Sequence, residues 1–144
     1  MLGYTSTLKG SYEKIYSADG LVRMKVQAHA ALTALTPYAI VCNEYGPITA
    51  ALPSSGASIY VGVPEVAQDS GDMFEIVIGG PVDDVVTPSL SVSVGHGLTI
   101  NTTAVADIGA DFSGAAGEFA VCRTASTSST TQDLNLVPEK ILTI

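Results

Sequence analysis

Residues 37–82 read PYAIVCNEYGPITAALPSSGASIYVGVPEVAQDSGDMFEIVIGGPV, and this stretch decides the fold. Val, Ile, Tyr and Phe fill short runs, and Pro, Gly, Asn, Ser and Asp interrupt them wherever the chain must reverse. β-Branched and aromatic residues suit a pleated, half-buried surface. Gly and Pro supply the backbone angles of turns. The stretch therefore predicts strands at 38–42, 48–51, 58–63 and 73–78, joined by connectors at 43–47, 53–57 and 64–72.

The same grammar continues outward. Strands are expected at 82–86, 90–94 and 98–100, with turns at 79–81, 87–89 and 95–97. Residues 21–26 (LVRMKV) alternate apolar and basic, the period of a strand with one buried face. The segment AHAALTAL (28–35) allows a short helix or a loop, and Pro37 closes it, because a residue before proline avoids the α region. The run TASTSSTTQ (124–132) contains no core-forming residue and reads as an exposed loop. A last strand pair is expected at 133–137 and 140–144. The expected fold is mainly β, a compact antiparallel β-sandwich or barrel.

A softer echo of the opening stretch follows about 58–60 residues later. Ser55-Gly56-Ala57 precedes IYVGV, a polar turn and FEIVI; Ser113-Gly114-Ala115 precedes EFAVC, a polar run and DLNLV. A single domain over 21–144 with two related halves, about 37–86 and 90–137, is one expectation from this echo.

The chain of 144 residues, 47% hydrophobic and only 14% charged, is large enough to bury a core without a metal or a disulfide. Cys42 and Cys122 lack CxxC spacing and read as two buried thiols. No apolar run approaches the roughly 20 residues that span a bilayer, and residues 1–20 hold no signal-peptide core. The chain is expected to remain in the cytoplasm that makes it, or in whatever that cytoplasm assembles, without a membrane partner.

Charge is unevenly placed within the net −8. Residues 1–25 carry Lys9, Lys14, Arg23 and Lys25 against Glu13 and Asp19, whereas the twelve remaining carboxylates face only Arg123 and Lys140. Such an acidic body opposes nucleic-acid binding, which needs clustered Lys and Arg. Residues 1–20 (MLGYTSTLKGSYEKIYSADG) have tyrosines but few aliphatics, too little to offset about 1–2 kcal/mol of backbone entropy per ordered residue. They read as an extended N-terminal arm that orders against a partner, with Tyr4, Lys9, Tyr12, Lys14 and Tyr16 as contact candidates. The loops bearing Glu44, Tyr45, Pro64, Glu65 and Asp69 are candidates for oligomer or neighbour contacts.

Residues for chemistry are sparse. His96 lies in Gly95-His96-Gly97, a turn sequence, and His29 sits among alanines without a partner at metal-ligand spacing. The pairs Asp69/Asp72 and Asp83/Asp84 lack the ligand spacing of a calcium loop and read as solvated turn carboxylates. No nucleophile elbow, P-loop or dinucleotide fingerprint occurs. The expectation is a protein that is not an enzyme and that carries no cofactor or metal.

The order of elements resembles the head decoration (cement) proteins of tailed bacteriophages. The resemblance rests on a Pro-led apolar strand (37–42), a short return strand (48–51), a small-residue loop (55–57), a VGV-type strand (60–63), a polar turn (66–72) and an alternating strand (73–78). The second half resembles the related small capsid-stabilising proteins at Gly97-Leu98, Val105, GEFAV (117–121), the polar run 124–132 and LNLVPE (134–139). The resemblance implies a β-tulip-like domain on the outer surface of an icosahedral head, made in the host cytoplasm. There it would be a homotrimer clamping neighbouring major capsid protein subunits. The alternative class is another β-structural virion or surface module, such as a tail, baseplate or adhesin domain.

Overall fold

In the computed structural model, which describes residues 13–43, 46–52, 58–101, 104–115, 117–138 and 142–143, the chain is all-β, with no helix among those residues. The strands are β1 (Lys14–Tyr16), β2 (Val22–Gln27), β3 (Tyr38–Asn43), β4 (Gly46–Ala50), β5 (Ser58–Gly62), β6 (Met73–Val92), β7 (His96–Ile100), β8 (Val105–Asp111), β9 (Glu118–Cys122), β10 (Ser126–Leu136) and β11 (Leu142–Thr143). They form one mixed sheet in the order β11-β5-β3-β4-β2-β6-β10-β9-β7-β8, with β1 on β2. Every ladder is antiparallel except a single parallel bridge, Gln27 to Ile48, between β2 and β4.

β6 is the spine. Its first part pairs with β2, from Met73↔Gln27 to Gly79↔Val22, and its remainder, from Gly80 to Val92, pairs with β10. The alternation of β2 does what its sequence implies: Val22, Met24 and Val26 are buried. With Ile40, Ile76 and Ile78 they make a small core, against which Tyr60 and Phe74 pack. Val77, one residue out of phase with Ile76 and Ile78, faces the other way. It joins Ala39, Val61 and Val63 in a larger core completed by Leu98, Ile100, Phe119 and Leu134 from the second half of the chain. The sheet around β6 is thus apolar on both faces. Full burial of one such side chain contributes about 1.5–3 kcal/mol.

The sheet curls far enough that Val63, just past β5, meets Val77 of β6 through two backbone hydrogen bonds of 2.8 and 3.1 Å. That bridge is isolated, so the sheet is not closed into a barrel. Close approach inside the curl requires a glycine at 62. A Cβ there would stand 2.9 Å from Ile76 and 3.1 Å from Ile40.

Several connectors expected as turns are interior to strands. Gly79-Gly80-Pro81 and Thr87-Pro88-Ser89 lie within β6. Gly79 passes under Pro138, where a Cβ would come within 2.5 Å, and Gly80 has φ +95° beneath the Gly20 carbonyl. The β6–β10 register slips where the pairs jump from Val85↔Gln132 to Val82↔Leu134, and Asp84 there has φ 56°. It slips again across Pro88, between Val86↔Thr131 and Leu90↔Ser129. These are bulges, which absorb an extra residue and bend a strand without ending it.

The polar run 124–132 is likewise no loop. Ser126 onward belongs to β10, opposite β6. Its one buried side chain, Gln132, accepts a hydrogen bond from Ser126 Oγ (2.7 Å) and donates to the Ser129 carbonyl (3.0 Å), which bridges the irregular register. Between β2 and β3 the chain forms neither helix nor free loop. Leu32 bridges Gln68, and Leu35, at φ 57°, donates to the Pro64 carbonyl and accepts from Val86 N.

Replacing Gly62 by Val should destabilise the fold by about 1–3 kcal/mol, the usual cost of overpacking a core whose neighbours cannot move outward. Calorimetric melting of the variant beside the unmodified chain checks this; an unchanged midpoint would show that the curl tolerates a side chain at 62.

Candidate interaction surface

The residues expected to make contacts fall into three groups. Tyr4, Lys9, Tyr12, Glu44 and Tyr45 lie outside the described residues. Lys14 and Tyr16 do not sit on a free arm: they belong to β1, which folds back onto β2 with Lys14 opposite Met24 and Tyr16 opposite Val22. Lys14 holds its Nζ 5.7 Å from the centre of the Tyr60 ring, a cation–π contact, while Tyr16 remains 67% exposed. The third group is the 64–72 turn. Pro64 is buried, not an exposed contact residue, because Val63 beside it is drawn into the bridge with Val77 and its own carbonyl accepts from Leu35 N at 2.8 Å. Glu65 and Asp69 are exposed; Asp69 and Asp72 lie in a turn as the sequence implied, and Asp69 N donates to Asp72 Oδ2 at 2.9 Å.

Arg23 joins the first of these described surfaces to the second. Its Nε and Nη2 donate to the two carboxylate oxygens of Glu65 at 2.9 and 3.1 Å, a bidentate fork. Nη2 also reaches Asp19 Oδ2 at 3.0 Å, and Nη1 reaches Ser17 Oγ at 2.8 Å. The guanidinium thus ties the β1–β2 turn to the 64–72 loop. Hydrogen bonds from Ser17 Oγ, then from Leu21 N, then from Arg23 hold the Asp19 carboxyl down at about 2. Glu65 and Asp19 together push the Arg23 guanidinium above its ordinary value. Nothing in the spacing of Arg23 and Glu65, 42 positions apart, announced the pair.

Three further polar features went unread in the sequence. His96 is the first residue of β7, and its Nδ1 lies 3.1 Å from the Asp107 carboxylate of β8, so it is half-buried and paired rather than solvated. Glu118, in the midst of the apolar run EFAVC, is 2% exposed. Its carboxylate accepts from Ser113 N (3.0 Å), Ser113 Oγ (2.7 Å) and Ala115 N, and so holds the loop before β9. A carboxylate breaking an apolar run directly after Gly was the available signal. Arg123, between β9 and β10, pairs with the exposed Asp83, and Asp84 donates its backbone N to Asp133 Oδ1 at 3.0 Å. Asp83 and Asp84 thus lie within β6, at a bulge, rather than in a turn, and both side chains are exposed.

His29 is held through its backbone N and its Nδ1 by Thr49 Oγ1, at 3.1 and 2.8 Å. Cys122 is a free, buried thiol pushed up to about 11, by burial first and the nearby Asp107 charge second; Cys42 lies in β3. Among the described residues, no group of three or more His, Cys, Asp and Glu side chains is placed to hold a metal ion.

The fold and these surfaces define a mainly-β domain whose polar side chains fasten strands and turns to one another. No family model and no curated protein matches the chain. A solved structure, that of the head fiber gp8.5 N base in bacteriophage phi29, has a similar fold. The TM-score is 0.53 at 14% sequence identity, over 83% of this chain and 97% of that one.

Three outcomes follow from the polar contacts. Arg23→Ala should speed amide exchange in β1 while leaving β6 and β10 unchanged. In the unmodified chain the Asp19 contribution is present above its ordinary carboxyl range and is lost as pH falls through about 2, so β1 protection should persist at mildly acid pH. Loss of that protection near pH 4 would contradict the assignment. Glu118→Gln, which turns an amide donor toward backbone and hydroxyl donors, should lower stability by about 1–3 kcal/mol in thermal melts.

Proposed function

We propose that this chain is a structural, non-catalytic protein of a bacteriophage head. In this reading it sits as a homotrimer on the outer surface of the icosahedral shell and stabilises it by clamping neighbouring major capsid protein subunits. The observation that carries the reading is the fold likeness to the phage head fiber base, which spans nearly the whole of that domain. The ordered pattern of strands and turns, similar to that of head decoration proteins, supports it independently.

The physical requirements of the role match the chain. Clamping a shell calls for contact area spread over several partners, and a stable interface buries about 1,600 Å² in total. Three weak contacts linked in one trimer gain avidity by effective concentration. The Arg23 clamp fastens the β1–β2 hairpin, with its exposed Tyr16, to the 64–72 turn, so that a contact with a neighbouring subunit made there would be held in place. Carboxylates directed to solvent keep decorated particles apart through like charge.

Purified protein should bind mature, expanded heads at a fixed stoichiometry and raise their resistance to heat. A chain beginning at Glu13 should keep its melting midpoint and bind those heads more weakly. Binding without any gain in heat resistance would point instead to a seat for an appendage. Failure to bind heads, with binding to cells or tail structures, would favour the alternative of a tail, baseplate or adhesin module.

A further inference from the structure

The charge distribution acquires a second meaning once the sheet is assembled. No Asp, Glu, Lys or Arg occurs from Val85 to Ile100, nor from Thr124 to Gln132, in a chain of net charge −8. The two stretches are remote in sequence, yet the β6–β10 ladder lays them side by side, pairing Val92 with Ser126, Leu90 with Ser129 and Val86 with Thr131. The outcome is a charge-free ribbon of Val, Ser and Thr. Val86, within it, is 41% exposed, and Val94, in the turn that follows, is 63% exposed. Carboxylates bound it at either end: Asp83, Asp84 and Asp133 at one, Asp107 and Asp111 beside His96 at the other.

We propose that this ribbon is the surface through which copies of the chain meet one another. The inference rests on the homotrimer reading above and names its interface. Two bodies of the same strongly acidic charge repel wherever their carboxylates approach within a Debye length of about 8 Å. Only a charge-free face lets them close without that cost, and the centres of protein interfaces are depleted in charge for this reason. The contact is made by side chains, not by adding strands. The β6 margin carries Pro81 and Pro88, and its Val86 N is already bonded to the Leu35 carbonyl. On β10, the Ser129 carbonyl is taken by Gln132 Nε2, and the Thr131 N and carbonyl by Ser129 Oγ. Small Val, Ser and Thr side chains along the ribbon allow close approach of two copies.

Sedimentation equilibrium of the full chain tests this, with Val86→Asp and Val94→Asp placing like charge on the ribbon. Ala31→Asp, at an exposed alanine between β2 and β3 that lies outside the ribbon and outside the candidate contact loops, serves as control. The unmodified chain should self-associate, each ribbon variant should weaken association by about tenfold or more, and the control should behave as the unmodified chain. Raising salt should strengthen association of the unmodified chain, because screening removes repulsion and the contact holds no ion pair; this measurement needs no variant to fold. Ribbon variants that associate normally, or salt that weakens association, overturn the proposal and leave the trimer reading standing. A chain that stays monomeric overturns both.

Discussion

One strand carries hydrogen bonds for both halves of this protein. β6 pairs with β2 over its first part and with β10 over the rest, so neither half of the sheet can form its inner edge without it. The constraint is geometric. The strand changes partner at Gly79-Gly80, where Gly80 takes φ +95° and Pro138 and the Gly20 carbonyl leave no space for a Cβ. Farther along, bulges at Asp84 and Pro88 let it follow β10 without leaving the sheet. Because Ile76 and Val77 point to opposite faces, the same few residues feed two separate cores.

Polar side chains in this structure fasten backbone to backbone. Glu118 gathers the loop before β9, Arg123 and Asp133 hold β10 against the bulge in β6, and Arg23 ties the first hairpin to the 64–72 turn. Exposed ion pairs generally contribute little stability, about 0–1 kcal/mol. The effect of the Arg23 clamp is therefore better regarded as orientation: it sets the direction of the chain entering β1. On another part of the sheet, the β6–β10 ladder lays two charge-free stretches of the chain side by side.

How much of the candidate surface was legible follows from what a hydrophobic pattern reports. Glu65 and Asp69 were placed on an exposed turn and are there. Pro64, one residue earlier, is buried because Val63 beside it is pulled inward by its bridge to Val77, fourteen residues later in the chain. Lys14 and Tyr16 looked like parts of an unsupported arm because three residues cannot declare a strand; their order comes from β2, on which they lie.

The sequence by itself determined that this chain is mainly β, that Val22, Met24 and Val26 face a core, and that Asp69 and Asp72 lie in a turn. Each of these is a local matter of side-chain period or turn chemistry. Tertiary structure alone decided that Gly79-Gly80-Pro81 and Thr87-Pro88-Ser89 continue a strand, and that the hydroxyl run after Thr124 is half of a ribbon. It also decided that Arg23 and Glu65 meet. The physical reason is common to all three: backbone hydrogen bonds and ion pairs belong to partners distant in sequence. A run of Ser and Thr has no periodicity from which its partner could be read.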